Sequence, residues 1–168
     1  PITISVDYND TNGYPFTALS FAFFTLGDDH PPRIHGVIED IELRREATLE
    51  YRIKNLDAKP RKLKIRLFLP KEISATQGES WITLAGAKEQ TIRFQLHNFS
   101  ALAGSAYPVF VLSEYDEEGK HSSLFTQGLV KIAASKDFFR SYRIHLLAGL
   151  GLLCLLFVAI QFFFPRRK

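Results

Sequence analysis

Methionine is absent from this 168-residue chain, and cysteine and tryptophan occur once each, as Cys154 and Trp81. A lone cysteine excludes a disulfide framework and a thiol-based metal centre. Cys154 stands in an uncharged run, where it behaves as a small apolar residue. Without an initiator Met, the chain is expected to be processed or cut, and any secretory leader would lie before Pro1. Trp81 reads as part of a core strand, which weighs against a sugar platform built of several exposed aromatics.

An excess of charge is also missing from most of the chain. The net +3 is matched by Arg166, Arg167 and Lys168 at the C-terminus, and removing these leaves 18 basic against 18 acidic residues. A neutral domain gives no electrostatic footing for nucleic acid, which is not an expected partner. Catalytic motifs are lacking as well. Gly78-Glu79-Ser80-Trp81 is not a nucleophile elbow, since no helical pattern follows it. The five histidines are scattered. Ala148-Gly149-Leu150-Gly151 lies inside the apolar run and is not a phosphate loop. Asp28, Asp29, His30 and His35 flank a diproline and read as a solvated loop rather than a metal site. The expectation is a non-enzyme with no catalytic residue, cofactor or metal.

The C-terminal stretch 146–164 holds no charged residue and one polar amide, Gln161. Nineteen residues of helix rise about 28 Å, close to the roughly 30 Å of a bilayer hydrocarbon core. A single transmembrane helix is therefore expected there, after a juxtamembrane segment 136–145 and before a basic cytoplasmic tail 165–168. Phe138, Phe139 and Tyr142 suit an interfacial aromatic belt. A large preceding domain with a four-residue tail puts the N-terminal domain outside the cytoplasm. Ala148, Gly149, Gly151 and Gln161 are candidate helix–helix contacts, the small residues allowing close approach.

Upstream the period is two. Residues 1–26 read as a hairpin around Asn9-Asp10-Thr11-Asn12-Gly13, with a Phe-rich return strand. Its likeness to 108–119 leaves two readings open: the last hairpin of a preceding sandwich, or a hairpin that adds to or covers its neighbour. Residues 27–35 form a linker. From 36 to 135, about seven strands are expected, one of them spanning 37–43. Leu49, Tyr51 and Ile53 alternate with Glu50, Arg52 and Lys54; Leu63, Ile65 and Leu67 alternate with Lys62, Lys64 and Arg66. The intervening segment 55–60 reads as a hairpin connection. That pairing would place Arg52, Lys54, Lys62, Lys64 and Arg66 on one basic sheet face, a candidate docking surface for an acidic partner, lipid headgroups or anionic cell-wall polymer. Opposite charge gathers at Glu114, Asp116, Glu117 and Glu118, so the domain is expected to be dipolar. Asn9 and Asn98 begin sequons in turn or strand-end positions. The pattern as a whole predicts an all-β chain, an immunoglobulin-like antiparallel β-sandwich, plus one C-terminal transmembrane α-helix.

Four segments carry a resemblance: Thr48-Leu-Glu-Tyr-Arg-Ile-Lys-Asn55, Leu63-Lys-Ile-Arg-Leu-Phe-Leu-Pro70, Trp81-Ile-Thr-Leu-Ala-Gly86 running on to Phe94, and Ala103-Gly-Ser-Ala-Tyr-Pro-Val-Phe-Val111. Over roughly residues 36–133 the chain resembles the immunoglobulin-like modules of bacterial and archaeal surface proteins, of the CARDB-like and alpha-galactosidase NPCBM-associated types. It departs from them at Leu56-Asp57-Ala58-Lys59-Pro60, where such modules often place a Gly. The resemblance implies an immunoglobulin-like fold and an extracytoplasmic location. The function expected is that of an interaction or scaffold subunit of a surface or membrane complex, with the bilayer and other membrane or surface proteins as partners. The alternatives are a surface-anchored carbohydrate-recognition module, or the C-terminal anchoring portion of a larger surface enzyme.

Overall fold

The computed structural model describes residues 1–22, 24, 31–134, 142, 144, 147–153 and 156. The chain divides into two compact units, Pro1–Ala134 and Ser135–Lys168. In the first unit the strands are β1 (Ile2–Asn9), β2 (Pro15–Ala22), β3 (Ile34–Ile38), β4 (Ile41–Leu43), β5 (Glu46–Asn55), β6 (Arg61–Phe68), β7 (Ile73–Ala75), β8 (Glu79–Leu84), β9 (Glu89–Asn98), β10 (Ala106–Glu117) and β11 (Lys120–Ile132).

β1 and β2 form a two-stranded ribbon; β4-β11-β10-β6-β8 form one sheet and β3-β5-β9-β7 another. The two larger sheets enclose the core because their strands alternate. β5 turns Leu49, Tyr51 and Ile53 inward, β9 turns Phe94 and Leu96, β6 turns Leu63 and Ile65, and β10 and β11 add Val109, Val111, Val130 and Ile132, all buried. The Tyr51 hydroxyl spans the core to the Ser113 hydroxyl, 2.8 Å away, and so ties the two sheets together. Gly36 makes room for it, since a Cβ there would fall on that hydroxyl. β10 and β11 join through Glu118 and Gly119, both with positive φ, as a two-residue hairpin turn of the primed type requires.

Three expectations are corrected. The single strand over 37–43 is two strands in different sheets: β3 pairs with β5, and β4 pairs in parallel with β11. Glu39 and Asp40 make the break, and the Asp40 carboxylate accepts a hydrogen bond from Leu129 N at 3.2 Å. A short strand, β7, lies on the edge of the four-stranded sheet where none was expected. Finally, 55–60 is not a hairpin connection, since it carries the chain from β5 in one sheet to β6 in the other. The buried Asn55 shapes this arch. Its Nδ2 donates to Lys59 O at 2.8 Å and its Oδ1 accepts from Asp57 N at 3.0 Å. Gly86 lets the neighbouring turn close against Ala58, whose carbonyl a Cβ would strike.

In the second unit, residues 147–153 are helical. Most of the expected span 146–164, Gln161 included, lies outside the described residues. Among the described residues no helix is long and apolar enough to cross a membrane.

Candidate functional site

The five cations expected to share one face are divided between two sheets. Arg52 and Lys54 stand on β5 in the four-stranded sheet; Lys62, Lys64 and Arg66 stand on β6 in the five-stranded one. Alternation set each residue's face correctly, but the arch through 55–60 separates the strands. On the four-stranded sheet, Arg52 is paired with Glu39, and Arg93 with Glu50 at 2.8 Å. This is a solvated face on which Arg52 and Arg93 are each matched by a carboxylate.

The outer face of the five-stranded sheet has two different ends. At one, Phe68, Phe110 and Phe125 form an apolar floor on which the ribbon sits. The Phe21 ring lies 4.1 Å from that of Phe125, 4.9 Å from Phe110 and 5.3 Å from Phe68, measured between centroids. With the ribbon in place β10 is buried without interruption from Val109 to Ser113, although alternate residues there point to opposite faces. At the other end, on edge strand β8, Trp81 stands opposite Lys64. The indole is 59% exposed, which corrects its reading as a core residue. The Lys62 and Lys64 ammonium groups lie 5.5 Å and 5.4 Å from the ring centroid. Lys64 also contacts Glu79 at 3.0 Å, and Arg66 contacts Glu114 at 2.8 Å.

The ribbon has two unlike faces of its own. Thr17, Leu19 and Phe21 lie on the more covered face. Ile2, Ile4, Val6 and Tyr8 lie opposite Ala22, Ser20, Ala18 and Phe16 on the other. The first four are each about half exposed, so an apolar row faces water along the length of β1. At the ribbon's tip, Asp10 Oδ1 accepts from Asn12 N and Tyr14 N, both at 2.8 Å. Beside the tip lies an open cleft of about 340 Å³ whose lining includes Tyr8, Phe16, Lys71 and Glu72. Lys71 pairs with Asp7, and the Thr17 hydroxyl donates to Asp7 Oδ1 at 3.0 Å. These two hydrogen bonds, that from Lys71 the stronger, hold the Asp7 carboxyl below its ordinary value.

Arg61 is a buried structural cation. It donates to Glu117 at 2.6 Å and 3.0 Å and to Asp57 at 2.8 Å, with its guanidinium over the Tyr115 ring. It closes one end of the sandwich against the β10–β11 turn and offers no free donor pair to a ligand. Of the two sequons, Asn98 has its side chain engaged in the fold: Nδ2 donates to Arg44 O and Oδ1 accepts from Ala101 N at 2.8 Å. Ala148, Gly149 and Gly151 are helical and exposed, and a Cβ at either glycine would meet open space. Sequence reasoning missed the phenylalanine floor and the exposed Trp81, although a signal for each is present in strand phase and run length.

No protein-family profile and no curated protein sequence matches the chain. Solved structures do. A portion of Escherichia coli alpha-2-macroglobulin, from domain MG7 to the C-terminus, is similar over 62% of this chain and 17% of its own length, at 12% identity and a TM-score of 0.52. A Salmonella alpha-2-macroglobulin is similar over 71% of this chain and 8% of its own, at 10% identity and a TM-score of 0.51. A CARDB domain from Pyrococcus furiosus covers 64% of this chain and 99% of its own, at 17% identity and a TM-score of 0.43, which is too low for topology to follow. The chain thus spans only a small part of the alpha-2-macroglobulins it matches. Together with the strand order, the two alpha-2-macroglobulin likenesses support an immunoglobulin-like β-sandwich fold.

Proposed function

We propose that this chain is a non-enzymatic, single-pass membrane protein that presents its immunoglobulin-like sandwich outside the cytoplasm, as an interaction or scaffold subunit of a surface or membrane complex. The observation that carries the reading is the row Ile2, Ile4, Val6 and Tyr8, half-exposed along one face of a ribbon whose other face carries Phe21 into the phenylalanine floor. Contiguous apolar surface of this kind is a mark of protein contact. A partner protein offering a complementary apolar surface is its occupant. The anchor is the uncharged run 146–164, with Ala148, Gly149, Gly151 and Gln161 available to a partner helix.

The test uses the full chain in its native membrane. Alkaline carbonate should leave it in the pellet, and native electrophoresis in mild detergent should show a complex. Replacing Ile4 and Val6 with Glu should shift that complex toward the free chain while circular dichroism stays unchanged. Release by carbonate would overturn the anchor. A complex that resists both the ribbon variant and Gly151→Leu with Gln161→Leu would overturn the assignment of contact surfaces.

The exposure of Trp81 favours a second reading, carbohydrate recognition. A large aromatic left in water on an open sheet, with hydrogen-bonding groups beside it, suits the apolar face of a pyranose ring.

A further inference from the structure

We infer that the outer sheet surface around Trp81 binds an acidic saccharide, a polymer carrying one carboxylate per sugar ring; this rests on the carbohydrate reading and names its ligand class. Trp81 occupies edge strand β8, so β6 borders it on one side and, among the described residues, no strand of its own sheet does on the other. The indole keeps 59% exposure even though two ammonium groups lie within 5.5 Å of its centroid. A stacked sugar ring would thus bring a ring carboxylate within reach of those lysines.

Charge on this surface selects the kind of anion. Lys64 and Arg66 are each committed to a carboxylate, Glu79 at 3.0 Å and Glu114 at 2.8 Å. Among the described residues Lys62 has no ion-pair partner. One cation without a carboxylate partner, set against one exposed aromatic, matches a polymer with one charge and one apolar face per unit. Nucleic acid carries its charges more densely than a surface whose other two cations are held by Glu79 and Glu114 can match. A solvated ammonium gives weak, salt-sensitive attraction, so stacking has to supply much of the binding and repetition along the polymer the rest.

Trp81 is the chain's one tryptophan, so intrinsic tryptophan fluorescence reports this site alone. Full-length protein in neutral detergent would be titrated with a galacturonate hexamer, a neutral glucose hexamer and a polyphosphate of equal charge. The expected result is a saturable fluorescence change with galacturonate, at least about tenfold weaker binding of the neutral sugar, and about fivefold weaker galacturonate binding in Lys62→Gln. Trp81→Ala, followed by affinity electrophoresis, should abolish retardation by galacturonate. Equal binding of the acidic and neutral hexamers, unmoved by Lys62→Gln, would overturn the acidic assignment and leave carbohydrate recognition standing. Equal response to polyphosphate would mark simple anion attraction and overturn the saccharide. Absence of binding by all three would remove both readings.

Discussion

The two outer faces of the sandwich are built on different terms. The four-stranded sheet shows water a set of matched charges, Arg52 with Glu39 and Arg93 with Glu50, and its strand β5 is buried on alternate residues only. The five-stranded sheet has an apolar floor that requires a cover, and the ribbon supplies it through Phe21. An antiparallel sheet can leave one face to solvent only while that face is polar. β10 breaks that condition with Phe110 and Leu112, both buried although they point away from the sandwich core. The ribbon is in this sense a third layer, laid over one end of one sheet.

The largest expected effect tests that asymmetry. Phe110→Ala should destabilise the first unit by about 3 kcal/mol, since it empties a buried aromatic position between sheet and ribbon. Arg93→Ala, on the opposite outer face, should cost under about 0.5 kcal/mol, because an exposed ion pair contributes little. Urea unfolding of both variants measures the difference, and similar costs would mean that the two faces are not distinct. Next in size is Phe21→Ala. It should weaken ribbon docking by about 2 kcal/mol through lost burial and ring contacts. Hydrogen exchange should quicken at the amides of β1 and β2 while those of β5 and β9 keep their protection. Equal quickening in both sheets would show that the ribbon is integral to the core rather than a layer upon it.

Part of this asymmetry was legible in the residues. Strict alternation at Leu49, Tyr51 and Ile53 announces a strand buried on one side, and the structure has it so. Val109-Phe110-Val111-Leu112 is a continuous apolar run, the signature of burial on both sides, and so a sign of a covering layer that a reading by alternation passes over. Trp81 was legible too. Ile82 and Leu84 fix the phase of β8 and so turn Trp81 outward, yet its size suggested a place in the core. Strand neighbours were not legible in the same way. Both sheets face one core, so alternation in β5 and β6 says which side is inward without saying whether the two strands pair. The decision rests with the Asn55 side chain, which folds the connection toward Lys59, Leu84 and Ala85. A hydrogen-bond pattern of that kind has no period to read. The basic face failed for this reason, although each of its five cations stands on the strand expected of it.

The smallest effect expected is also the most specific to the ribbon, because it acts at the tip, away from the phenylalanine floor. Lys71, in the connection between β6 and β7, pairs with Asp7 on β1, and Thr17 on β2 donates to the same carboxylate. The Asp7 carboxyl is thereby held below its ordinary value, chiefly by the Lys71 hydrogen bond. A depressed folded-state value means that the carboxylate form favours docking. Its contribution is complete above the unfolded value of about 3.9 and is lost as the pH falls through the lower, docked value. Asp7 is exposed, so the effect should be modest and should shrink as salt rises. Chemical shifts of the Phe21 ring protons, displaced by the rings around them, should therefore move toward unstacked positions on acidification below about pH 4, and do so less in Asp7→Asn, which has no such titration. If wild type and Asp7→Asn gave the same acid profile, the tip pair would have no part in docking, and the phenylalanine floor alone would distinguish this face from its opposite.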